Sequence, residues 1–398
     1  MKVLMFGWEF PPLSSGGLGT ACYGLTKSMS KKGVEITFVV PYSSDINFDF
    51  FKLIPASNIK IKNIASVLRP YMSSKEYSHS LANKPGPKIY GSTLFDEVYR
   101  YTLAAEKIAE EEDFDVIHCH DWMTFGAGIR AKRKKNKPLV VHVHATEFDR
   151  TGGNQVNQHV YELEKYGMHN ADKIIAVSNF TKNKIITHYD VLPEKIKVVH
   201  NAVDLSEHYY DENFAIKKTD KVVLFLGRIT LQKGPDYFVY AAKRVLEHEK
   251  NVKFVIAGSG DMESFIIEKS AEMGISDKIL FAGFLSQEDV DKAYKMADIY
   301  VMPSVSDPFG ITALEAMKNK SPVILSRQSG VSEVIKHCIK VDFWDTNEIS
   351  NKIIAILKYK SLHETLKENA YFEVKKFSWD TPAEKCIEVY NELTAKSF

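Results

Sequence analysis

The chain has 398 residues, of which 44% are apolar and 26% charged, with 52 Lys and Arg against 51 Asp and Glu and a formal charge of +1 with His neutral. Such a composition is that of a globular protein, and the even charge balance excludes a nucleic-acid partner held by a basic surplus as well as an acidic solvating tail. At about 150 residues per domain the length predicts two or three domains.

Along the chain, short β-branched apolar runs alternate with amphipathic stretches, the pattern of βαβ units around buried parallel sheets. Strands are predicted at 2–7, 35–40, 115–118, 139–144, 173–177 and 196–200, which makes 1–200 a first domain. A segment over about 42–90, rich in Ser, Asn, Lys and Pro, reads as an insertion of loops and small strands. A polar linker follows at 201–219, and the pattern restarts over 220–375 with strands at 222–226, 254–257, 279–282, 299–302 and 323–326. Helices are predicted at 347–361, 362–377 and 382–395, with 376–398 returning to the first domain. Ala171-Asp172-Lys173-Ile174-Ile175 and Ala297-Asp298-Ile299-Tyr300 both lead from a helix into a strand, a short echo between the halves.

Cys22, Cys119, Cys338 and Cys386 lack CxxC spacing, so a zinc knuckle or dense disulfide framework is not expected and a reducing compartment fits. The N-terminal apolar run is too short for a signal peptide core, and no run approaches the ~20 residues of a spanning helix. These features predict a cytoplasmic protein with no transmembrane segment.

Ligands of doubly wound sheets bind beyond the carboxyl ends of the strands, so the segments after strands are where chemistry is sought. The first strand leads into Pro11-Pro12-Leu13-Ser14-Ser15-Gly16-Gly17-Leu18-Gly19 and then a helix. That is either a phosphate or sugar loop at a helix N-terminus or a tight turn that needs glycine for its geometry. In the second half Arg228 and Lys233 of Gly227-Arg228-Ile229-Thr230-Leu231-Gln232-Lys233-Gly234 would both reach one diphosphate, or else are ordinary surface cations. After the strand at 299–302, Asp307 precedes a helix start where Gly310, Ile311 and Thr312 offer N–H groups, and Glu315 lies one turn further in. Two carboxylates eight positions apart suit two parts of an extended ligand; the plainer alternative makes Asp307 a helix cap and Glu315 a solvated residue.

Taken together, the Ser-Gly-Gly-Leu-Gly loop, the Gly-Arg-x4-Lys-Gly segment and the carboxylate-x7-Glu block ending Pro-Phe-Gly-Ile-Thr-Ala-Leu-Glu-Ala-Met resemble the retaining GT-B glycosyltransferases, a group that includes glycogen, starch and sucrose synthases. His118-Cys119-His120-Asp121-Trp122 and Val141-His142-Val143-His144 match as well, and the opening Gly7-Trp8-Glu9-Phe10-Pro11-Pro12 is most similar to bacterial and archaeal glycogen-synthase-like enzymes. The resemblance covers the chain from Met1 to beyond Glu333. It implies an α/β fold of two Rossmann-like, doubly wound parallel-sheet domains facing a cleft, the donor bound mainly by the second. It further implies retaining transfer of a hexose, glucose in the first instance, from a nucleoside diphosphate sugar to a glucan or other saccharide. Carried over residue by residue, Gly16 and Gly17 form the donor loop, Gly17 offering its N–H to the distal phosphate. Arg228 and Lys233 neutralise the diphosphate, Asp307 binds sugar hydroxyls, and Glu315 holds the ribose. His144 lies near the reacting sugar, Asp121 near donor and acceptor sugars, and the backbone near Gly283 and Phe284 bears on the base. Asp307 is one methylene shorter than the family's usual Glu, which bears on the sugar accepted. With Arg, Lys and helix N-termini supplying positive charge, the transfer needs no metal and no other cofactor.

Other readings compete. His118 with His120, and His142 with His144, are two apart on strands and suit a metal-dependent hydrolase, although no downstream Asp, His and Glu cluster with ligand spacing accompanies them. Gly258-Ser259-Gly260 hints at a nicotinamide enzyme, but Glu263 stands at the third glycine position. A non-catalytic sugar binder of the periplasmic type would need an export signal. Asp113-Phe114-Asp115 has the spacing of metal-binding carboxylates but sits at a turn. The run Lys132-Arg133-Lys134-Lys135-Asn136-Lys137 suits either acidic lipid, and with it a lipid-linked or small-molecule acceptor, or a solvated helix C-terminus. A homo-oligomer is compatible with the sequence, which leaves the oligomeric state open.

Overall fold

The computed structural model describes residues 1–10, 16–42, 59–65, 93–206 and 220–395. Most of the insertion at 42–90, the linker residues 207–219 and residues 11–15 of the glycine loop lie outside them. The chain divides into two compact units: Met1–Glu147, Val156–Asn201 and Trp379–Phe398 form the first, Phe148–Gln155 and Ala202–Ser378 the second.

The first unit is built on β1 (Lys2–Phe6), β2 (Glu35–Tyr42), β3 (Ile59–Ala65), β4 (Val116–His120), β5 (Leu139–Val143), β6 (Lys173–Ala176) and β7 (Ile196–Val198), in the order β3-β2-β1-β4-β5-β6-β7. The second contains β8 (Lys221–Leu226), β9 (Val252–Ala257), β10 (Ile279–Gly283), β11 (Ile299–Met302), β12 (Val323–Ser326) and β13 (Ile339–Val341), in the order β10-β9-β8-β11-β12-β13. All neighbouring strands run parallel. Each sheet reverses its strand order at its first strand, β1 or β8, which is where doubly wound sheets bind their ligands. β4 and β5 are buried throughout, as strands of a sheet covered on both faces must be. The second core gathers Phe225, Phe238, Phe254, Ile256, Val301 and Ile353.

Several strands run past their apolar signal. The run that marks β4 stops at Ile117, yet the strand continues through two buried histidines to His120, because these pair within the sheet, His120 opposite His142. β13, a three-residue Ile-Lys-Val strand, is too short to stand out by pattern and exists because β12 supplies its ladder.

Aspartates one residue ahead of a strand set where three pairs begin. Asp115 donates its N–H to the Lys2 carbonyl and accepts the Lys2 N–H through Oδ2, both at 2.8 Å. Asp172 does the same with Leu139 at 2.8 and 2.7 Å, and Asp298 with Val222 at 2.9 and 2.8 Å. The first N–H of a strand has no ladder partner, and a carboxylate supplies a charge-assisted one. The Ala-Asp echo between the halves is therefore a shared device. Asp113 binds Lys2 Nζ at 2.8 Å, so the Asp113-Phe114-Asp115 turn spends both carboxylates on the start of β1.

The final helix, Asp380–Thr394, packs on the helix Gly17–Lys31. The Trp379 indole occupies the space beside Gly24, where an added Cβ would come within 2.3 Å of it, and Ser28 donates to Asp380 at 2.5 Å. The basic run closes the helix Trp122–Lys135, Asn136 being its left-handed cap. Its cations are engaged: Lys132 binds Asp172 at 2.7 Å, Lys134 binds Glu110 at 2.5 Å, and Arg133 donates to the Tyr166 hydroxyl at 2.8 Å. No helix among the described residues is long and apolar enough to cross a membrane.

If the aspartate lock sets the strand start, Asp298→Ala should cost about 2 kcal/mol, the scale of a hydrogen bond to a charged group. In a unit of this size that is about 4–8 °C in the thermal midpoint. Asp298→Asn, whose amide oxygen still accepts, should lose less than half as much; an unchanged midpoint in the Ala variant would refute the lock.

Candidate functional site

The first unit presents its groups at the carboxyl ends of β1, β4 and β5. Gly16, in extended conformation, precedes the helix Gly17–Lys31, whose first residue Gly17 is exposed. The buried Glu9 carboxylate accepts the Gly19 N–H at 3.3 Å, so that amide is committed to the fold and Gly17 is the one presented outward. After β4, Asp121 adopts φ 61°, a left-handed conformation that costs energy for a residue with a Cβ. Its carboxylate accepts the N–H of His144 at 2.7 Å and of Ala145 at 3.3 Å, tying the β4 and β5 loops together.

Behind that junction four imidazoles gather. His144 Nε2 lies 3.0 Å from His120 Nδ1, and His118 Nδ1 pairs with the Tyr390 hydroxyl from the final helix. His118 stacks on His120 with centroids 4.4 Å apart, and His142 on His144 at 4.2 Å. Burial pushes the pKa of His118 and His144 down to about 3 and of His120 and His142 well below the usual range, so all four are neutral. Nε2 of His118, Nε2 of His120 and both nitrogens of His142 are buried without a hydrogen-bond partner among the described residues. Each such group costs about 1–3 kcal/mol.

Ligand atoms of His118, His120 and His142 fall within 4.8 Å of one another, as do those of Cys22, His120 and His144. The imidazole lone pair lies in the ring plane, however, and the stacked His118 and His120 planes, 22° apart, do not converge on one ion. Burial, then Glu9 and Asp121, raise Cys22 well above the usual thiol range. The geometry is that of a stack and does not fit the metal centre of a hydrolase.

In the second unit the loops after β8 and β11 are stitched into one surface. Arg228 donates to the Gln232 side chain at 2.7 Å, and the Gln232 carbonyl accepts from the N–H groups of Val305 and Ser306 at 3.0 and 3.3 Å. Lys233 ends a short 3-10 turn, and Gly234 follows it at φ 64°, where an added Cβ would stand 2.2 Å from the Pro303 carbonyl. Lys233 Nζ sits 2.6 Å from Asp307 Oδ2, whose carboxylate is buried. Asp307 is further held by its backbone, its N–H donating to Gln328 and its carbonyl accepting from Gly330. Ser306 donates to the buried Asp149 at 2.6 Å, which fixes the segment Phe148–Gln155 to this unit.

Asp307 is thus an ion-pair partner and not the helix cap that the plainer sequence reading allowed. The cap of the helix Ile311–Lys318 is Gly310 at φ 99°, which makes Ile311 and Thr312 the first residues of the helix, whose N–H groups have no carbonyl a turn earlier. Nor is Glu315 solvated. It accepts from the Tyr294 hydroxyl at 3.2 Å, and burial lifts its pKa to about 7. Gly283 closes β10 at φ 67° and its carbonyl accepts from Gly258 at 2.7 Å, while Phe284 is exposed. Gly258 and Gly260 are explained by contact: a Cβ on either would fall within 2.2 Å of the Gly227 or Ile229 carbonyl. They serve the packing of the β8 loop and need no dinucleotide.

The structure therefore joins Arg228, Lys233 and Asp307 through Gln232 in one unit, and Asp121 with His144 in the other. Sequence reasoning missed Gln232, Tyr294 and the His120 contact. Only the His120 contact had a signal, since His120 and His144 fall on one face of neighbouring strands.

The family model described as Glycosyltransferase Family 4 matches residues 15–207, and the one described as Glycosyl transferases group 1 matches residues 208–372. The chain belongs to the GT-B glycosyltransferases. An uncharacterized glycosyltransferase of Methanocaldococcus jannaschii is 29% identical over 98% of both chains. The glycogen synthase of Mycobacterium tuberculosis is 23% identical, over 84% of this chain and 80% of its own. Among solved structures, the sucrose-phosphate synthase of Thermosynechococcus elongatus shares the fold with a TM-score of 0.79, at 18% identity across 99% of both chains.

The raised Glu315 carboxyl has a measurable consequence. Because its folded pKa of about 7 exceeds the ordinary value near 4.5, stability is full below about pH 4.5 and falls as pH rises to about 7. Glu315→Gln removes that penalty. Its thermal midpoint should match the parent at pH 4.5 and exceed it at pH 8, by the equivalent of about 3 kcal/mol. A parallel pH dependence of the two proteins would contradict the assignment.

Proposed function

We propose that the chain is a retaining hexosyltransferase that moves a hexose, glucose in the first instance, from a nucleoside diphosphate sugar to a glucan or other saccharide. The observation that carries the reading is the pair of half-buried Lys233 and buried Asp307 after β8 and β11. The cation and carboxylate neutralise each other until a diphosphate draws the lysine. The Asp307 oxygens are then free to accept sugar hydroxyls. Arg228, oriented by Gln232, adds a planar donor fork, and Ile311 and Thr312 supply helix N–H groups.

In the transfer step the bond from C1 to the diphosphate oxygen breaks and a bond from C1 to the acceptor oxygen forms on the same face. The acceptor proton passes to the departing phosphate. What the protein supplies is preorganised charge for that leaving group, from Arg228 and Lys233 without a metal. Glu315 serves the ribose, and the neutral His144 serves the sugar as a hydrogen-bonding group and not as an acid. The glycogen synthase relative supports a glucan acceptor, although Asp307, shorter than the family's usual Glu, leaves more room at the sugar.

Nucleotide sugars screened for thermal stabilisation, followed by product analysis with glucan, glucose and lipid acceptors, test the reading directly. Lys233→Ala and Arg228→Ala should each lower turnover about 10²–10³-fold, the scale for one lost electrostatic stabiliser. Near-normal rates in both variants, or an inverted product, would sink it.

A further inference from the structure

We propose that His120 is a positioning residue that fixes the tautomer of His144, so that His144 carries its proton on Nδ1 and offers that N–H as a donor. Resting on the reading above, the inference places this donor at the transferred sugar. The contact between His120 Nδ1 and His144 Nε2, at 3.0 Å, allows two arrangements of one proton. If His144 donated, His120 would hold its own proton on Nε2, which is buried with no acceptor among the described residues. If His120 donates from Nδ1, its Nε2 is left as a bare lone pair. A buried orphan N–H is the rarer and costlier of the two, so His120 is the donor and His144 the Nδ1–H form.

The surroundings hold that arrangement. The His142 ring lies against the face of His144 with planes 24° apart, while Asp121 pins the His144 backbone, so edge, face and main chain are each constrained. Cys22, the Tyr390 hydroxyl, engaged with His118, and Thr124, which donates to the His120 carbonyl at 2.9 Å, are polar groups packed close to the cluster. The polar nitrogens left without partners argue that this sheet face is not built for stability, since apolar side chains would fill it without that cost.

The test exploits side-chain length: the amide of Asn overlays the Nδ1 position of His, and that of Gln the Nε2 position. His120→Asn should keep turnover within about fivefold of the parent. His120→Gln and His120→Leu should lose about 10²-fold in kcat, the scale of a misaligned reacting geometry, with little change in the donor KM. In parallel, imidazole ¹⁵N spectra of the histidine-labelled protein, assigned with a His144 variant, should show His144 protonated at Nδ1 in the parent and in the Asn variant. They should show loss of that preference in the Gln variant. A parent His144 protonated at Nε2, or Asn and Gln variants of equal activity and matched thermal midpoints, overturns the inference. A parent that transfers no sugar while its spectra show the Nδ1 form overturns the transferase reading and leaves the tautomer assignment standing. Should the Leu variant fail to fold, the Asn and Gln comparison and the parent spectra suffice.

Discussion

A carboxylate one residue ahead of a strand, closing a two-bond ring with the start of its neighbour, is the constraint on which both halves depend. Asp115 applies it between β4 and β1, and Asp298 between β11 and β8. These are the pairs at which each sheet reverses its strand order. A slip of one residue in either pair would send every side chain of the strand to the opposite face. His118 and His120 would leave their shared face, and the loops bearing Arg228, Lys233 and Asp307 would lose their level. The locks act at the amino ends, yet what they align is the chemistry at the far ends, about 17 Å away for a strand of five residues.

The two halves then treat charge in opposite ways. The second concentrates it: a half-buried lysine is matched by a buried aspartate, and a glutamate whose pKa is lifted to about 7 accepts from Tyr294. The first excludes charge from His118, His120, His142 and His144, which desolvation keeps neutral across the physiological range. A stack of neutral imidazoles has no net charge to redistribute, and its information lies in which nitrogen holds the proton.

Much of this was legible in the sequence, for physical reasons that differ from segment to segment. Strands such as β11 and β12 declare themselves because they are buried throughout and, Ser326 apart, apolar. Gly16, Gly17, Arg228 and Lys233 stand out in the sequence because glycine and cations after strands suit phosphate, and Glu315 because it lies eight positions after Asp307. What escaped depends on contacts between distant residues. Nothing near Glu315 in the sequence announces Tyr294, 21 positions earlier and on another helix. Asp307 stood out as a ligand-facing carboxylate, with a helix cap as the plainer alternative, and only the packing of the β8 loop shows it facing Lys233. β13 is a strand by virtue of its neighbour, and Gly258 and Gly260 are glycines because of carbonyls about 30 residues upstream. The Ala-Asp echo was visible but mute until the carboxylates were seen to close the same ring in both units.

The route of the chain has an evolutionary side. The backbone passes from the first unit to the second and back before residue 156, leaves again after Asn201, and returns for good at Trp379. No single cut therefore yields both halves intact. A recombination that exchanged everything after Asn201 between two relatives would also import a foreign last helix. Its tryptophan would have to find a glycine opposite it, as Trp379 finds Gly24, and its tyrosine a histidine, as Tyr390 finds His118. Exchange of the second unit between such proteins is thus constrained to crossovers that spare the final twenty residues.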